Sequence, residues 1–538
     1  HRDLHSFPTR RSSDLGNLVP GGGVWMNTQR PEWNDANNAL AGYGLSMVTA
    51  MYMRRFAAFW NTMIRVAGAA EFKLARPLAE LVGEQLAVMD EAGAGAQADP
   101  RLRRRFMDGM GRSHERYRAR VYADPSALAE LVPVGRDFLE RWFDMSLKQI
   151  DATIGAGKRP DGLYDAYSLL SLEGDEARVD RLYPMLEGQV AALSSGALGP
   201  EEAVELMAAL RSGPLYCADR KTWLLYPDRE LPDFFAKNRC PEGAVASSPF
   251  AQELLAAGRV DIIYRDAEGI ARFAPALVNE AELALALDAL AAEPGWAEPL
   301  ARGRRELEEL YEATFRHAGF TGRSGGMYAY EGLGSVYWHM VAKLLLALAE
   351  LRENLVLSGR GEARPELVEA LERAYLDARE GIGYRRSPEE WGAFPFDPYS
   401  HTPKGSGARQ PGMTGQVKEE LLTRLMEFGL AVGGGVIRFA QTGLLNGEFL
   451  SAPRDFVYYD ARGRRASIGL KAGEMVLCLA GVPFVREGSA GPIRIAAEFA
   501  DGGERRFDGA LDLELSASIF KREGRVRLVR VSGGVSRA

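Results

Sequence analysis

The chain reads as a mainly helical protein that ends in a small all-β domain. From Ala39 to about Leu430, apolar residues recur at the three-and-four spacing of buried helix faces. After Gly433 the pattern changes to short alternating runs punctuated by glycine, which is the signature of strands. At 538 residues the chain is also long enough for a large core and more than one domain.

Taken in order, residues 5–15 resemble the conceptual translation of a sequencing adapter and carry no hydrophobic period. Residues 1–15 are therefore set aside from fold reasoning. The native frame is expected to begin near Gly16, in a chain truncated at its N-terminus. Ala39 to Val66 carries Leu45, Val48, Met51, Tyr52, Phe56, Phe59 and Trp60 on one helix face. Phe72 to Met89, Pro100 to Val121 and Leu128 to Ile150 follow as helices, with Arg103-Arg104-Arg105 expected on a solvated face. Arg259 to Phe273 reads as two short strands around a turn at Glu268-Gly269. Helical spacing returns at Asn279–Ala292, Leu300–His317, Tyr337–Leu355, Arg364–Ala378 and Gly415–Leu430. Between these lie Gly- and Pro-rich loops at 319–334 and 392–414, long enough to be functional. Strands are expected at Val436–Phe439, Phe456–Tyr459, Met475–Leu479, Ile493–Phe499, Leu511–Leu515 and Val526–Val531, forming a β-sandwich. The domains are thus 16–432, helical, and 433–538, β.

Composition excludes several classes of function. A net charge of -7 argues against a nucleic-acid surface. No apolar run is long enough to span a membrane. Three cysteines, Cys217, Cys240 and Cys478, suit reduced thiols and a cytoplasmic location. With no Cys-x-x-Cys and no native His-x-x-x-His, a protein-built metal site is not expected. The glycine patterns of dinucleotide and P-loop sites are absent, so no organic cofactor is expected either.

Three segments concentrate chemistry. Arg30 to Asn38 holds Glu32, Trp33, Asn34 and Asp35: carboxylates and amides beside an indole. Cleaving a glycosidic bond needs an acid for the leaving oxygen and a nucleophile or base on the opposite face. Asp35 is the candidate acid, Trp33 an apolar wall that raises a nearby carboxyl pKa, and Asn34 a hydroxyl partner. The structural alternative is a capping turn ahead of a helix. Thr321 to Gly334 is Gly-rich and aromatic, with Arg323, Tyr330 and Glu331; Glu331 is a candidate base or sugar ligand. Its alternative is a set of turns with core aromatics. Gly322-Arg323-Ser324-Gly325-Gly326 matches the letters of a nucleophile elbow but follows a helix rather than a strand. Asp397 to Gln416 offers His401, Lys404, Arg409, Gln410 and Thr414 ahead of a helix, a set able to bind an anion. The alternative is a surface loop with Thr414 as N-cap.

Together these segments resemble the cellobiose and chitobiose phosphorylase family of inverting (α/α)6-barrel enzymes. Glu32-Trp33-Asn34-Asp35 is similar to the family's Asp-Trp-Asn-Asp, with Glu in place of the first Asp. The resemblance implies Asp35 as general acid, with Trp33, Asn34, Glu32, Arg323 and Tyr330 at the sugar. Gly325-Gly326-Met327-Tyr328 resembles the family's Gly-Gly-aromatic loop, but Tyr330 or Glu331 stands where a phosphate-binding His is expected. A carboxylate at Glu331 suits activation of water. Thr414-Gly415 before a helix resembles the phosphate-side Thr-Gly, with His401, Arg409 and Gln410 as further anion ligands. The likeness implies a six-hairpin barrel lacking its first part, followed by a β-sandwich. Such a fragment is expected to expose helix faces and associate.

The expected activity is cleavage of an oligosaccharide with inversion, catalysed by Asp35 and Glu331. Either water or inorganic phosphate acts as co-substrate, and no other cofactor or metal is needed. The alternative is a non-catalytic glycan-binding protein. Nucleic acid and membrane are excluded as partners, and a homodimer is left open.

Overall fold

The computed structural model describes residues 14–27, 40–93, 95–218, 220–228, 233–316, 336–358, 364–387, 389, 401–402, 416–443 and 447–535. About half of these are helical, with several small sheets and a C-terminal sheet domain. The chain forms two compact units: residues up to 159 with 164–188 and 226–334, and residues 160–163 with 189–225 and 335–538.

The first unit begins with β1 (Leu18–Val19), β2 (Gly23–Trp25) and β3 (Gly44–Ser46), which lead into helix α1 (Met47–Val66). Then come β4 (Glu71–Ala75), α2 (Arg76–Ala92), α3 (Pro100–Ala123), β5 (Leu131–Gly135), α4 (Arg136–Ala156), β6 (Tyr167–Glu173) and β7 (Glu176–Arg181). An antiparallel sheet runs β1-β2-β3-β6-β7, and β4 pairs separately with β5. Three expected helices therefore start later than the spacing suggests, each behind a short strand. Ser46 fixes the first start, its hydroxyl accepting from the Thr49 amide at 3.0 Å. At Gly44 a Cβ would sit 2.4 Å from that of Leu40, so the strand needs glycine there. In β4 and β5 the alternating Phe72, Leu74, Val132 and Val134 pack on Ile64, Val82 and Leu139, a period of two merged with the helices that follow. Arg103 corrects the expectation of a solvated basic run. It is buried and donates to the carbonyls of Pro20, Ala177 and Gln97, while Arg105 stays exposed.

Within the same unit, residues from Cys240 to Phe315 build a core of their own. It comprises α5 (Pro249–Ala256), the hairpin β8 (Ile263–Arg265) and β9 (Ala271–Phe273), α6 (Glu280–Ala291) and α7 (Ala297–Phe315). Phe273, Tyr311 and Phe315 form its aromatic centre, with Tyr311 4.9 Å from Phe273 and 4.7 Å from Phe315. Buried Asn238 holds the hairpin by bonding both the N–H and the carbonyl of Phe273. Burial pushes the Cys240 thiol up to about 11, which makes it an inert core residue.

In the second unit, β10 (Val336–Tyr337) leads into α8 (Trp338–Leu357), which is apolar nearly all round and buried. Then follow α9 (Pro365–Gly381), β11 (His401–Thr402), paired with β10, and α10 (Gln416–Glu427). His339 approaches Glu419 at one end, and Arg352 bonds the Gln441 carbonyl beyond the other, so α8 and α10 run parallel. Tyr375 meets Glu427 while Arg379 meets Glu420, so α9 runs antiparallel to α10.

The C-terminal part has hairpins β12 (Leu430–Gly433)–β13 (Val436–Phe439) and β14 (Arg454–Tyr459)–β15 (Arg465–Leu470). These accompany β16 (Glu474–Leu479), β17 (Val482–Glu487), β18 (Arg494–Phe499), β19 (Glu504–Asp508), α11 (Leu513–Phe520) and β20 (Val526–Ser532). The main sheet runs β16-β17-β20-β18-β19, with β17 parallel to β20 and the other pairs antiparallel. β17 is covered on both faces: Phe484 joins Ile495 and Val529, while Val485 joins Leu470 and Leu528. The strand expected at Leu511–Leu515 is instead the start of α11. Asp512 caps it through the Leu515 amide at 2.7 Å, and Leu515 and Ile519 are buried one turn apart. Among the described residues no helix is long and apolar enough to cross a membrane.

Arg486 on β17 is fully buried and donates to the carbonyls of Phe428, Ala440, Gly533 and Gly534. Burial lowers its pKa to about 10, so it remains charged at neutral pH. Gly429 makes room for it; a Cβ there would lie 2.5 Å from the guanidinium. Arg486→Met should cost about 3 kcal/mol in urea unfolding, since it leaves carbonyls of a buried hub unpaired. A change within 0.5 kcal/mol, of the order seen for surface sites, would refute the hub.

Candidate functional site

The residues chosen from sequence fall almost entirely outside the described residues. This holds for Glu32, Trp33, Asn34, Asp35, Arg323, Tyr330, Glu331, Arg409, Gln410, Thr414 and Gly415. For His401 only the backbone is described, opposite Tyr337 in the β10–β11 pair. The structure does, however, define where the three segments are anchored. The first leaves β2 and returns into β3, and backbone bonds from Met26 to Gly44 and from Gly42 to Met26 close its base. Trp25 Nε1 adds a bond of 3.0 Å to the Gly42 carbonyl. The second segment follows α7 and ends at β10; the third flanks β11 and ends at α10.

The anchors in the second unit form a site that sequence reasoning missed. Tyr337 Oη lies 3.3 Å from His339 Nδ1, and His339 Nε2 lies 3.5 Å from Glu419 Oε1. Lys418 Nζ is also 3.5 Å from that oxygen. Glu419 is 2 % exposed, yet its Oε2 and His339 Nε2 have no hydrogen-bond partner among the described residues. Burial, then Lys343, lowers the His339 pKa against the opposing pull of Glu419. The ring is therefore neutral at neutral pH, and with one N–H directed at Glu419 its Nδ1 accepts from the Tyr337 hydroxyl. Among the described residues, two buried polar atoms without a hydrogen-bond partner, Glu419 Oε2 and His339 Nε2, thus lie beside Lys418 at the starts of two parallel helices.

Glu419 belongs to a polar stripe on the buried face of α10, with Thr423 and Glu427 at successive turns, all at most 2 % exposed. Burial pushes the Glu427 carboxyl up, although Arg379 stands 2.9 Å away and Arg424 is also bonded to it. Tyr375 donates its hydroxyl to Glu427, and Tyr384 and Arg424 both donate to Glu448. Two acids eight residues apart with Thr423 midway, all on one face of the helix, were the available signal. Among the described residues no three metal-type ligands come together.

In a histidine-selective NMR titration, His339 should titrate below the ordinary histidine range. Glu419→Gln should lower its midpoint further, because a carboxylate that favours the imidazolium is gone, and Lys343→Ala should raise it. A midpoint insensitive to both changes would mean that the pair is not coupled.

The self-contained module of the first unit finds a counterpart among known proteins. Residues 231–318 match the family described as GH149 phosphorylase insertion domain 2. No curated protein matches the chain. The match coincides with the independent core that spans Cys240 to Phe315, so sequence similarity and packing mark the same module. It supports a glycoside phosphorylase-like enzyme in general.

Proposed function

We propose that this chain is a glycoside phosphorylase acting on an oligosaccharide, with inversion at the cleaved bond and inorganic phosphate as acceptor. The observation that carries the reading is the phosphorylase insertion module, matched over 231–318 and folded around its own core. The resemblance of Glu32-Trp33-Asn34-Asp35 to the acid motif of inverting phosphorylases supports it independently. Helices α8, α9 and α10, alternating in direction, are read as hairpins of an (α/α)6 barrel.

In this mechanism Asp35 protonates the leaving oxygen while a phosphate oxygen attacks the anomeric carbon from the opposite face. The glycosidic bond breaks as the new C–O bond forms, and a sugar 1-phosphate results. Trp33, Asn34, Glu32, Arg323 and Tyr330 orient the sugar. Thr414, Gly415, His401, Arg409 and Gln410 hold phosphate at the approach to α10. The Tyr337–His339–Glu419 chain lies at the start of that helix pair, where the Tyr337 hydroxyl turns its single proton from His339 Nδ1 to a phosphate oxygen once phosphate is bound. Hydrolysis is the second reading, favoured by Glu331 in the Gly-rich loop, a position where a carboxylate activates water. Buried, free Cys217 and Cys240 suit a reducing compartment.

Incubation of the protein with a panel of β- and α-linked oligosaccharides, with and without phosphate, tests the reaction. Sugar 1-phosphate of inverted configuration, appearing only with phosphate, is expected; free sugar formed equally without phosphate would make it a hydrolase. No turnover in either arm, together with calorimetric glycan binding, would make it a binding protein. Asp35→Asn should reduce kcat about a thousandfold with folding intact. Tyr337→Phe should weaken phosphate use roughly tenfold while leaving the KM for the glycoside in place.

A further inference from the structure

We propose that the groove between helix α3 and the first sheet is a saccharide-binding site that takes a pyranose unit of an oligosaccharide. The groove has a volume of about 420 Å3, inside the range of about 300–1,000 Å3 usual for small-molecule sites. All its walls belong to the first unit. One wall is a single face of α3, with Arg104, Met107, Asp108, Gly111 and Arg112 at three-and-four spacing. The other is the start of the sheet from Gly16 to Val19, with Trp25 on β2 and Leu172 on β6.

The apolar part of the groove is held in place. Trp25 and Met107 pack on Val19, Leu45 and Leu170. The indole Nε1 donates to the Gly42 carbonyl at 3.0 Å, and the Trp25 backbone N–H donates to the Asn17 carbonyl at 2.8 Å. Leu172 is 43 % exposed although it lines the same groove. A fixed, half-buried indole beside an exposed leucine offers an apolar surface to the C–H face of a sugar ring.

The polar part sets an acceptor beside a donor. Arg104 Nε donates to Asp108 Oδ1 at 3.0 Å, and its Nη1 donates to the Gly174 carbonyl at 3.2 Å. Asp108 Oδ2 takes no part in that bond and is available to accept from a hydroxyl. Arg112, one turn further on, is exposed and has no ion-pair or hydrogen-bond partner among the described residues. A carboxylate oxygen and a guanidinium one helical turn apart match two neighbouring sugar hydroxyls, one donating and one accepting. The Asp108 charge on the same helix face disfavours a phosphate there.

Gly111 is the residue that packing does not explain. After proline, glycine is the residue least suited to a helix interior. Gly109 has a neighbour that accounts for it, because a Cβ there would lie 3.0 Å from Val88. At Gly111 a Cβ would meet no atom within 4 Å. Its missing side chain serves no contact among the described residues and keeps the groove clear beside Asp108 and Arg112.

Sugar binding in the groove does not depend on the phosphorylase reading. Its role rests on that reading: the groove retains a long substrate on the protein between encounters with the catalytic segment.

Calorimetry on the full chain in phosphate-free buffer, with cellopentaose, laminaripentaose, maltopentaose and chitopentaose as probes, tests the site. At least one probe should bind, and Gly111→Leu and Arg112→Ala should each weaken it roughly five- to tenfold. Leucine at 111 fills the groove without a clash and favours the helix, so the melting temperature should equal or exceed that of the wild type. Arg112 is exposed, so its variant keeps the test readable should Gly111→Leu disturb α3. No binding of any probe, equal affinities in the wild type and both variants, or a loss confined to Asp35→Asn overturns the proposal. If binding falls in both variants but no phosphorolysis occurs, the functional reading fails while the site stands. If phosphorolysis occurs and neither variant alters binding, the site fails while the reading stands.

Discussion

The second unit depends on one constraint: α10 buries Glu419, Thr423 and Glu427 on the face that packs inward. A buried carboxylate survives only with partners, and the neighbouring helices are built to provide them. Tyr375 and Arg379 on α9 reach Glu427, and Arg424, one turn earlier on α10, closes the same group. Glu448 then ties Arg424 to Tyr384. At the other end of the stripe, among the described residues, Glu419 meets His339 and Lys418, each at 3.5 Å. Among the described residues one helix face is thus densely paired at its C-terminal end and less so at its start, where the candidate segments are anchored.

A related device recurs at three places where strands end in buried loops. Carbonyls beyond the ladder need a donor inside a protein. Buried arginines supply them: Arg103 to three carbonyls in the first unit, Arg272 to those of Phe235 and Asn238 in the insertion, and Arg486 to four in the C-terminal domain. The guanidinium has five N–H donors in a rigid plane, so one side chain can replace several missing ladder bonds. At Arg103 and Arg486 carbonyl dipoles converge on the charge, whereas Arg272 also pairs with Asp266 at 2.6 Å. This explains how short, irregular strands remain ordered between long helices.

Long periodic segments were legible in the sequence because burial of one face repeats its signal over several turns. The helices at 100–123, 338–357 and 365–381 and the strands at 436–439 and 526–532 show this. The five-stranded sheet around β3 and the β4–β5 pair were not legible, since each strand is too short for its alternation to stand apart from the adjoining helix. Leu511, Leu513 and Leu515 alternate like a strand, yet Leu513 is 59 % exposed and Asp512 starts a helix. Arg103 looked solvated because composition cannot reveal a cluster of unpaired carbonyls. Of the candidate site, Asp35, Glu331 and Thr414 were singled out from their residue chemistry and from motif likeness, and they lie outside the described residues. Tyr337, His339 and Glu419 carry no motif; their meaning comes from two helix starts brought side by side.

The insertion bears on the same chemistry through its last helix. A module with its own core can be accommodated in a host at modest entropic cost, since its stability does not draw on neighbouring contacts. This one is not inserted at random with respect to the candidate residues. Its final helix α7 stops at Arg316, which takes the left-handed conformation as C-cap, and the segment carrying Arg323, Tyr330 and Glu331 follows directly. Arg316 also reaches Asp180 on β7 at 3.4 Å, within the unit whose sheet closes the base of the Asp35 segment. An exposed pair of that length contributes little to stability. Together with the C-cap it marks where the chain leaves the module, beside β7 of the same unit. The module therefore sets where the chain stands as it enters residues 317–335, in the same unit as the strands β2 and β3 that flank residues 28–39.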